Sequence, residues 1–123
     1  MEVLLDANFI ISCVRKRIDF IDELEVLGFK VKVPREVLQE LKDLKREKKL
    51  GRETRTAINI AFQMLDDGGV KKVGVGGRTV DEGLIAKGKE GVYIATLDKE
   101  ILRGVPNKIV IDNSKKGLKV ERE

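Results

Sequence analysis

The sequence predicts an α/β domain built around a mainly parallel β-sheet. Short apolar runs rich in valine and isoleucine recur along the chain, at residues 2–5, 31–33, 70–75, 92–95 and 109–111. Longer segments with helical spacing of their apolar residues separate these runs. Such alternation is typical of parallel sheets, because each crossover between parallel strands usually carries a helix. The 123 residues have the length of one domain, so we expect residues 1–123 to form a single domain.

Apolar spacing and capping residues predict the positions of the helices. The first of these helices ends at Gly28, and the second begins at Pro34. The third covers 57–65 and is apolar nearly all round, so we expect it to be buried. The fourth begins at the capping box Thr79–Glu82, and the fifth covers 99–103 after its cap, Asp98. The tail 114–123 is polar and contains a short apolar stretch, so the sequence leaves open either a frayed end or an edge strand.

The composition restricts the class of protein. Charged residues make up 37% of the chain and tryptophan is absent, which is typical of proteins from thermophiles. The net charge of +4 is compatible with a polyanionic partner. Neither a signal peptide nor a membrane-spanning stretch is recognisable, so we expect a soluble, cytoplasmic protein without a membrane partner. One cysteine and no histidine exclude the common zinc sites.

Four acids occupy positions at which they can meet at one edge of the predicted sheet. Asp6 and Asp98 directly follow strands, Asp81 begins the helix before the fourth strand, and Glu40 lies at the edge of a helical apolar stripe. In open parallel sheets, ligands bind beyond the carboxyl ends of the strands, where the strand order reverses. Each acid also has a simpler interpretation: the aspartates as helix caps and Glu40 as a solvated surface acid.

The four acids considered together indicate a metal site. Carboxylates gathered in a partly buried site repel one another unless a divalent cation lies among them. Ligation by oxygen alone, without histidine or thiol, suits Mg²⁺ or Mn²⁺. Such ions activate water for attack on a phosphodiester, which matters here because the chain has no histidine to act as a base near neutral pH.

The sequence resembles the PIN-domain ribonucleases over nearly its whole length. Four segments carry the resemblance in the expected order: LLDAN at 4–8, PREVLQELK at 34–42, TVDEGLIAKG at 79–88 and ATLDKEIL at 95–102. The resemblance implies a three-layer α/β sandwich with a five-stranded parallel sheet in the order 3-2-1-4-5. In this order, strands one and four are neighbours.

The resemblance also implies a site. Asp6, Glu40, Asp81 and Asp98 match the acids with which the family binds Mg²⁺ or Mn²⁺ and cleaves RNA, and Asn8 and Thr96 match polar residues that orient the acids. The third segment departs from the frequent family pattern D-x-L-I-A, because it reads DEGLIA. Counting back from the leucine reaches Glu82; we prefer Asp81 as the ligand, with Glu82 sharing the role or facing the RNA.

Basic residues near the acids are candidates for RNA contacts. Arg78 and Lys99 flank the predicted crevice, where they would hold phosphates rather than read bases. The densest basic stretch lies between residues 45 and 55, and for it RNA contact and simple solvation remain equally open.

The leading hypothesis is a metal-dependent endoribonuclease that hydrolyses RNA phosphodiester bonds with metal-activated water at a four-carboxylate site. The family supports two roles that the sequence does not separate: a VapC-type toxin blocked by an antitoxin, or a nuclease of rRNA processing that meets ribosome-assembly proteins. A homodimer is compatible with either role. The alternative hypothesis is a PIN-like module that binds RNA or a protein without cleaving it.

Overall fold

The chain forms one sheet with helices on both of its faces, in a computed structural model that describes residues 1–123. The strands are β1 (Glu2–Leu5), β2 (Lys30–Pro34), β3 (Lys71–Val73), β4 (Tyr93–Ala95), β5 (Lys108–Asp112) and β6 (Gly117–Glu121). The helices are α1 (Ala7–Arg15), α2 (Phe20–Val26), α3 (Arg35–Lys45), α4 (Arg52–Asp67), α5 (Val80–Lys89) and α6 (Lys99–Gly104).

The sheet is mixed, with six strands in the order β3-β2-β1-β4-β5-β6. The first five strands pair in parallel in the predicted order. The prediction of a purely parallel, five-stranded sheet is wrong in one detail, because β6 adds to β5 in antiparallel register. The reason is the short connection over residues 113–116, which can reverse the chain into a hairpin but is too short for a parallel crossover. The tail 114–123 therefore contains an edge strand.

Alternating side chains of the strands supply two separate cores. Val3 and Leu5 belong to a core of 25 buried residues shared with α1, α2, α3 and α4. Leu4 belongs to a core of six buried residues shared with α5 and α6. Since successive side chains of a strand point to opposite faces, the sheet lies between two helical layers.

Helix α4 differs from its prediction. The segment 57–65 was expected to be buried all round, but it lies within a longer, amphipathic helix that buries one face. Ile58 is fully buried, whereas Ile60 is 45% exposed. The sheet has one neighbouring helical layer on this side and nothing beyond it, so one face of α4 meets solvent. None of the helices combines the length and the apolar character needed to cross a membrane.

The strand order reverses between β1 and β4. The chain places β2 and β3 on one side of β1, and β4, β5 and β6 on the other. Leu5 of β1 is in register with Ala95 of β4, and the backbone N–H of Asp6 donates to the carbonyl of Ala95 at 2.9 Å. The residues that follow the two strands, Asp6 and Thr96, therefore lie side by side at the carboxyl edge of the sheet.

Candidate metal-binding acid cluster

Asp6 is held at the centre of this edge by both of its carboxylate oxygens. It directly follows β1 and is the N-cap of α1, with Oδ1 accepting a hydrogen bond from the N–H of Ala7 at 2.9 Å. Oδ2 accepts from the hydroxyl of Thr96 at 2.7 Å. The residue is only 8% exposed. The cap interpretation is thus correct for one oxygen, while the second oxygen is bound across the sheet.

Thr96 connects Asp6 to Asp98. Its fully buried hydroxyl donates to Asp6 and accepts the backbone N–H of Asp98 at 3.1 Å. Asp98 in turn is the N-cap of α6, and its Oδ1 accepts from the N–H groups of Glu100 and Ile101. Two of the four predicted acids are thereby fixed relative to one another through one hydroxyl.

The other two acids come from helices on opposite faces of the sheet. Glu40 lies on α3 and is half-buried, and Asp81 lies in the first turn of α5 and is exposed. Neither takes part in any of the three ion pairs of the protein. We call Asp6, Glu40, Asp81 and Asp98 the acid cluster.

The pKa values of the acids show that they lie within electrostatic reach of each other. Burial raises the pKa of Asp6, and the negative charges of Asp81 and Asp98 raise it further, against the opposing hydrogen bonds from Thr96 and Ala7. Burial raises the pKa of Glu40, as do the charges of Asp6 and Asp81. Burial, followed by the charge of Asp98, raises the pKa of Asp81. Each of these three carboxylates resists ionisation partly because of at least one other acid of the cluster.

Asp81 and Glu82 play different parts in the structure. The carboxylate of Glu82 turns back to its own helix terminus, where it accepts the backbone N–H of Arg78 at 3.1 Å. Its backbone N–H donates to the hydroxyl of Thr79 at 3.1 Å, as predicted from the capping pattern. Asp81 is the acid whose charge acts on Asp6 and Glu40.

A glycine-rich loop positions the first turn of α5. Glu36 of α3 accepts the backbone N–H groups of Val75 and Gly76, both at 3.2 Å. Burial acts to raise the pKa of Glu36, but hydrogen bonds from its own backbone N–H and from those of Val75 and Gly76, with the charge of Arg35, outweigh it and the pKa is lowered. Gly83 packs so closely that a Cβ there would lie 2.5 Å from the carbonyl oxygen of Gly76. This role of Glu36 was not predicted from the sequence, although Glu36 lies one helical turn before the predicted site residue Glu40.

The donor set of the acid cluster fits a hard divalent cation. All its ligand atoms are carboxylate oxygens, the donors that Mg²⁺ and Mn²⁺ prefer, and the mutual rise in pKa is what a cation would relieve. No three acidic side chains lie close enough in this structure to hold an ion together. Occupancy would therefore require the side chains to move closer together, and Asp81 is the most exposed of the four.

A groove of about 650 Å³ opens beside Asp98, between α1 and the β4–α6 connection. We call it the α1 groove; it is lined by Asn8, Ile11, Ser12, Arg15, Lys16, Leu97 and Asp98. Asn8 thus faces a groove next to the acids rather than making a hydrogen bond to them. The cations Arg15 and Lys16 were not predicted as site residues, although the basic run at 15–17 directly after an apolar helix was available as a signal.

The two basic residues that were predicted to flank the cluster are exposed. Lys99 is the first residue of α6, directly after Asp98, and Arg78 lies in the loop before α5. Both positions adjoin acids of the cluster along the chain. Their side chains take part in none of the ion pairs.

Comparison with known families agrees with this fold. The family described as PIN like domain matches residues 3–111, and the chain belongs to this family. Among proteins with curated functions, none matches the chain significantly. PIN domains are generally nucleases, so the membership supports a module of nuclease type.

Proposed function

We propose that the protein is a metal-dependent endoribonuclease that uses the acid cluster to hydrolyse RNA phosphodiester bonds. The observation that carries the proposal is the link from Asp6 through the Thr96 hydroxyl to Asp98, at the point where the strand order of the sheet reverses. Membership of the PIN-like family supports a nuclease. A buried carboxylate fixed on both oxygens and surrounded by further acids is costly to a protein that does not use it.

Each acid has a distinct task in this proposal. Asp6 provides the rigid centre, because both of its oxygens are already oriented by hydrogen bonds. Asp98 is anchored through Oδ1 by its cap to α6, and its other oxygen can face the cluster. Glu40 and Asp81 complete the oxygen donors from the two helical layers. Glu82 is not a ligand in this proposal, because its carboxylate accepts the backbone N–H of Arg78 next to the N-cap of α5.

Mg²⁺ or Mn²⁺ bound by these four acids would activate water and stabilise the charge that develops on the scissile phosphate. The residues around the cluster would place the RNA. Lys16 and Arg15 in the α1 groove, with Lys99 and Arg78 nearer the acids, would hold phosphates on either side of the bond to be cut. Asn8 would donate or accept a hydrogen bond at the floor of the groove.

A cleavage assay with matched variants tests the proposal. Labelled RNA is incubated with the wild type, Asp6→Asn, Asp98→Asn and Glu82→Gln, each checked for an unchanged fold, in Mn²⁺, Mg²⁺ or excess EDTA. We expect metal-dependent cleavage by the wild type and Glu82→Gln, and a loss of at least about 100-fold in the two aspartate variants, the scale at which essential catalytic groups act. Cleavage that persists in EDTA or in both aspartate variants would refute the proposal, and RNA binding without any cleavage would favour a non-cleaving module.

A further inference from the structure

A second cationic surface begins at the acid cluster and leads away from it. Two adjoining depressions lie along α6 and the amino end of β5. The first is lined by Lys99, Leu102, Arg103 and Lys108, and the second, of about 410 Å³, shares Arg103 and Lys108 with it. Lys89 and Arg122 line the second depression as well. We call Lys89, Lys99, Arg103, Lys108 and Arg122 the basic track.

The basic track runs along the length of the sheet. Lys99 adjoins Asp98 at the carboxyl edge, and Lys99 and Arg103 are separated by one helical turn. Lys108 is the first residue of β5 and is in register with Ile94, the middle residue of β4. Arg122 follows β6, whose Glu121 pairs with Lys108, so it lies beyond the amino end of β5. The track thus extends from one edge of the sheet towards the other, which suits several linked phosphates rather than a single anion.

The cations of the track form no ion pairs within the protein. The chain has three ion pairs, and none of them includes a residue of the track. Glu121 is in register with Lys108 across the β5–β6 ladder, but its ion pair is with Lys119, at 3.7 Å. Glu121 and Glu123 also line the second depression, where four cations face two carboxylates. The excess of positive charge along the track favours a polyanionic ligand.

Helix dipoles do not account for this arrangement. Lys89 and Arg103 lie in the last turns of their helices, where a cation is favourable. Lys99, however, is the first residue of α6, the end at which a cation is unfavourable, and Lys108 is on a strand. The track therefore needs an explanation beyond the stability of α5 and α6.

The side chain of Arg122, at the far end of the track, is already held in place by Tyr93 without a ligand. Its Nε donates to the hydroxyl of Tyr93, and its guanidinium carbon lies 5.4 Å from the centre of the Tyr93 ring. A guanidinium stacked on an aromatic face keeps its remaining N–H groups available for phosphate oxygens. The lining of the track contains one leucine, the half-buried Leu102, and no exposed aromatic side chain of the kind that protein partners use as an anchor.

We propose that the basic track binds the phosphate backbone of an RNA strand beyond the acid cluster, continuing the path of the strand that enters through the α1 groove. This inference rests on the proposed function for its ligand, but binding along the track does not require cleavage. Because the contacts are to phosphates, binding should be strongly dependent on salt and nearly independent of sequence.

The test compares two triple variants of equal charge. Binding of a labelled single-stranded RNA is measured by fluorescence anisotropy in EDTA, over a range of salt concentrations, for the wild type, the track variant Lys99→Ala/Arg103→Ala/Lys108→Ala and the control Lys45→Ala/Lys48→Ala/Lys49→Ala. The control comes from the densest basic stretch outside the track. Melting temperatures verify that both variants are folded.

We expect the track variant to bind on the order of 10-fold to 100-fold more weakly at low salt, with the slope of log affinity against log salt reduced by about 2. The control should retain most of the wild-type affinity. Equal losses in both variants, no loss in the track variant, or no RNA binding by the wild type would overturn the inference. Competition by polyglutamate as effective as that by RNA would also overturn it, in favour of an acidic protein partner. Because binding is measured in EDTA, the test of the track does not depend on cleavage. A wild type that never cleaves RNA can still bind it, and the track variant can still lose that binding.

Discussion

At the scale of single residues, Asp6 has two roles that oppose each other energetically. It caps α1 and is bound by Thr96, which stabilises its ionised form, yet burial and the neighbouring acids raise its pKa. The fold thus places a charge where a charge is unfavourable in the absence of a cation. This conflict is the feature that distinguishes the residue from an ordinary helix cap.

The free energy of unfolding should therefore depend on pH through Asp6. The pKa of Asp6 is raised in the folded state, so its favourable contribution is fully present below the unfolded pKa of about 3.9 and is lost as the pH rises through the higher folded value. Asp6→Asn has no proton to lose. In EDTA, its stability relative to the wild type should increase by about 1 kcal/mol between about pH 4 and pH 7, a typical size for one substitution. Urea titrations measure this difference, and a difference that does not change with pH would refute the expectation.

Thr96 offers a test of the link between the two aspartates. Thr96→Val keeps the shape of the side chain but removes the donor to Asp6 and the acceptor for the N–H of Asp98. A buried carboxylate oxygen left without its donor should cost about 1–3 kcal/mol of stability. RNA cleavage by the folded variant should fall about 10–100-fold, as for other residues that orient metal ligands. Thr96→Ser retains the hydroxyl and is the control in denaturation and single-turnover assays; similar losses in both variants would argue against the hydrogen-bonded link.

At the scale of elements, the position of Asp81 depends on how α5 packs against the glycine-rich loop. Gly83→Ala would place a Cβ 2.5 Å from the carbonyl oxygen of Gly76 and 2.8 Å from a methyl group of Val75. We expect a net loss of about 1–2 kcal/mol, because the strain exceeds the gain in helix propensity, and weaker Mn²⁺ binding as α5 shifts.

Gly74→Ala is the matched control for this substitution. Its Cβ would meet only the end of the Arg35 side chain, at 3.7 Å, so stability and Mn²⁺ binding should change little. Chemical denaturation and Mn²⁺ titration of both variants check the pair. Gly83→Ala indistinguishable from Gly74→Ala would show that the close contact does not position α5.

The elements themselves were largely predictable from local signals. The capping box at Thr79 and the cap at Asp98 predicted where α5 and α6 begin. In both caps, the side chain accepts a hydrogen bond from a backbone N–H only three residues further along the chain. The exposed face of α4 was not predictable in this way. An apolar stretch such as 57–65 does not reveal how many layers lie around it, and Ile60 faces solvent because no further layer covers α4.

At the scale of the whole molecule, β6 forms one edge of the sheet, although it lies outside the residues matched by the family. Leu118 is 4% exposed and joins the larger core, and its N–H donates to the carboxylate of Glu23 in α2 at 3.0 Å. The strand is thus held both by β5 and by a helix of the adjoining layer.

Leu118→Ala should consequently destabilise the protein by about 2–4 kcal/mol, the usual range for truncating a buried leucine. The neighbouring Lys119→Ala changes an exposed side chain of the same strand and should stay within about 0.5 kcal/mol. Guanidinium titrations of the two variants measure their free energies of unfolding. Comparable values would mean that the packing of β6 contributes little to the stability of the protein.

The site was predictable in part. The sequence order and strand ends placed Asp6 and Asp98 at one sheet edge, because register follows from parallel pairing of β1 and β4. The resemblance to the family implied that Thr96 orients the acids, and its hydroxyl does donate to Asp6. Two other contacts depend on packing between distant segments and had no local signal: Glu36 on the loop at Val75, and the meeting of α6 with β5 that forms the basic track. Strand order, by contrast, came from the resemblance to the family and not from the apolar pattern.

We expect the four carboxylates of the acid cluster to bind one divalent cation together. Titration of Mn²⁺ into the metal-free protein, followed by isothermal calorimetry, tests it most directly with the wild type, Asp6→Asn, Asp81→Asn and Glu82→Gln. We expect saturable binding by the wild type and Glu82→Gln, and a loss of at least about 10-fold in affinity for Asp6→Asn and Asp81→Asn. Equal Mn²⁺ affinity in the wild type and Asp6→Asn would contradict it.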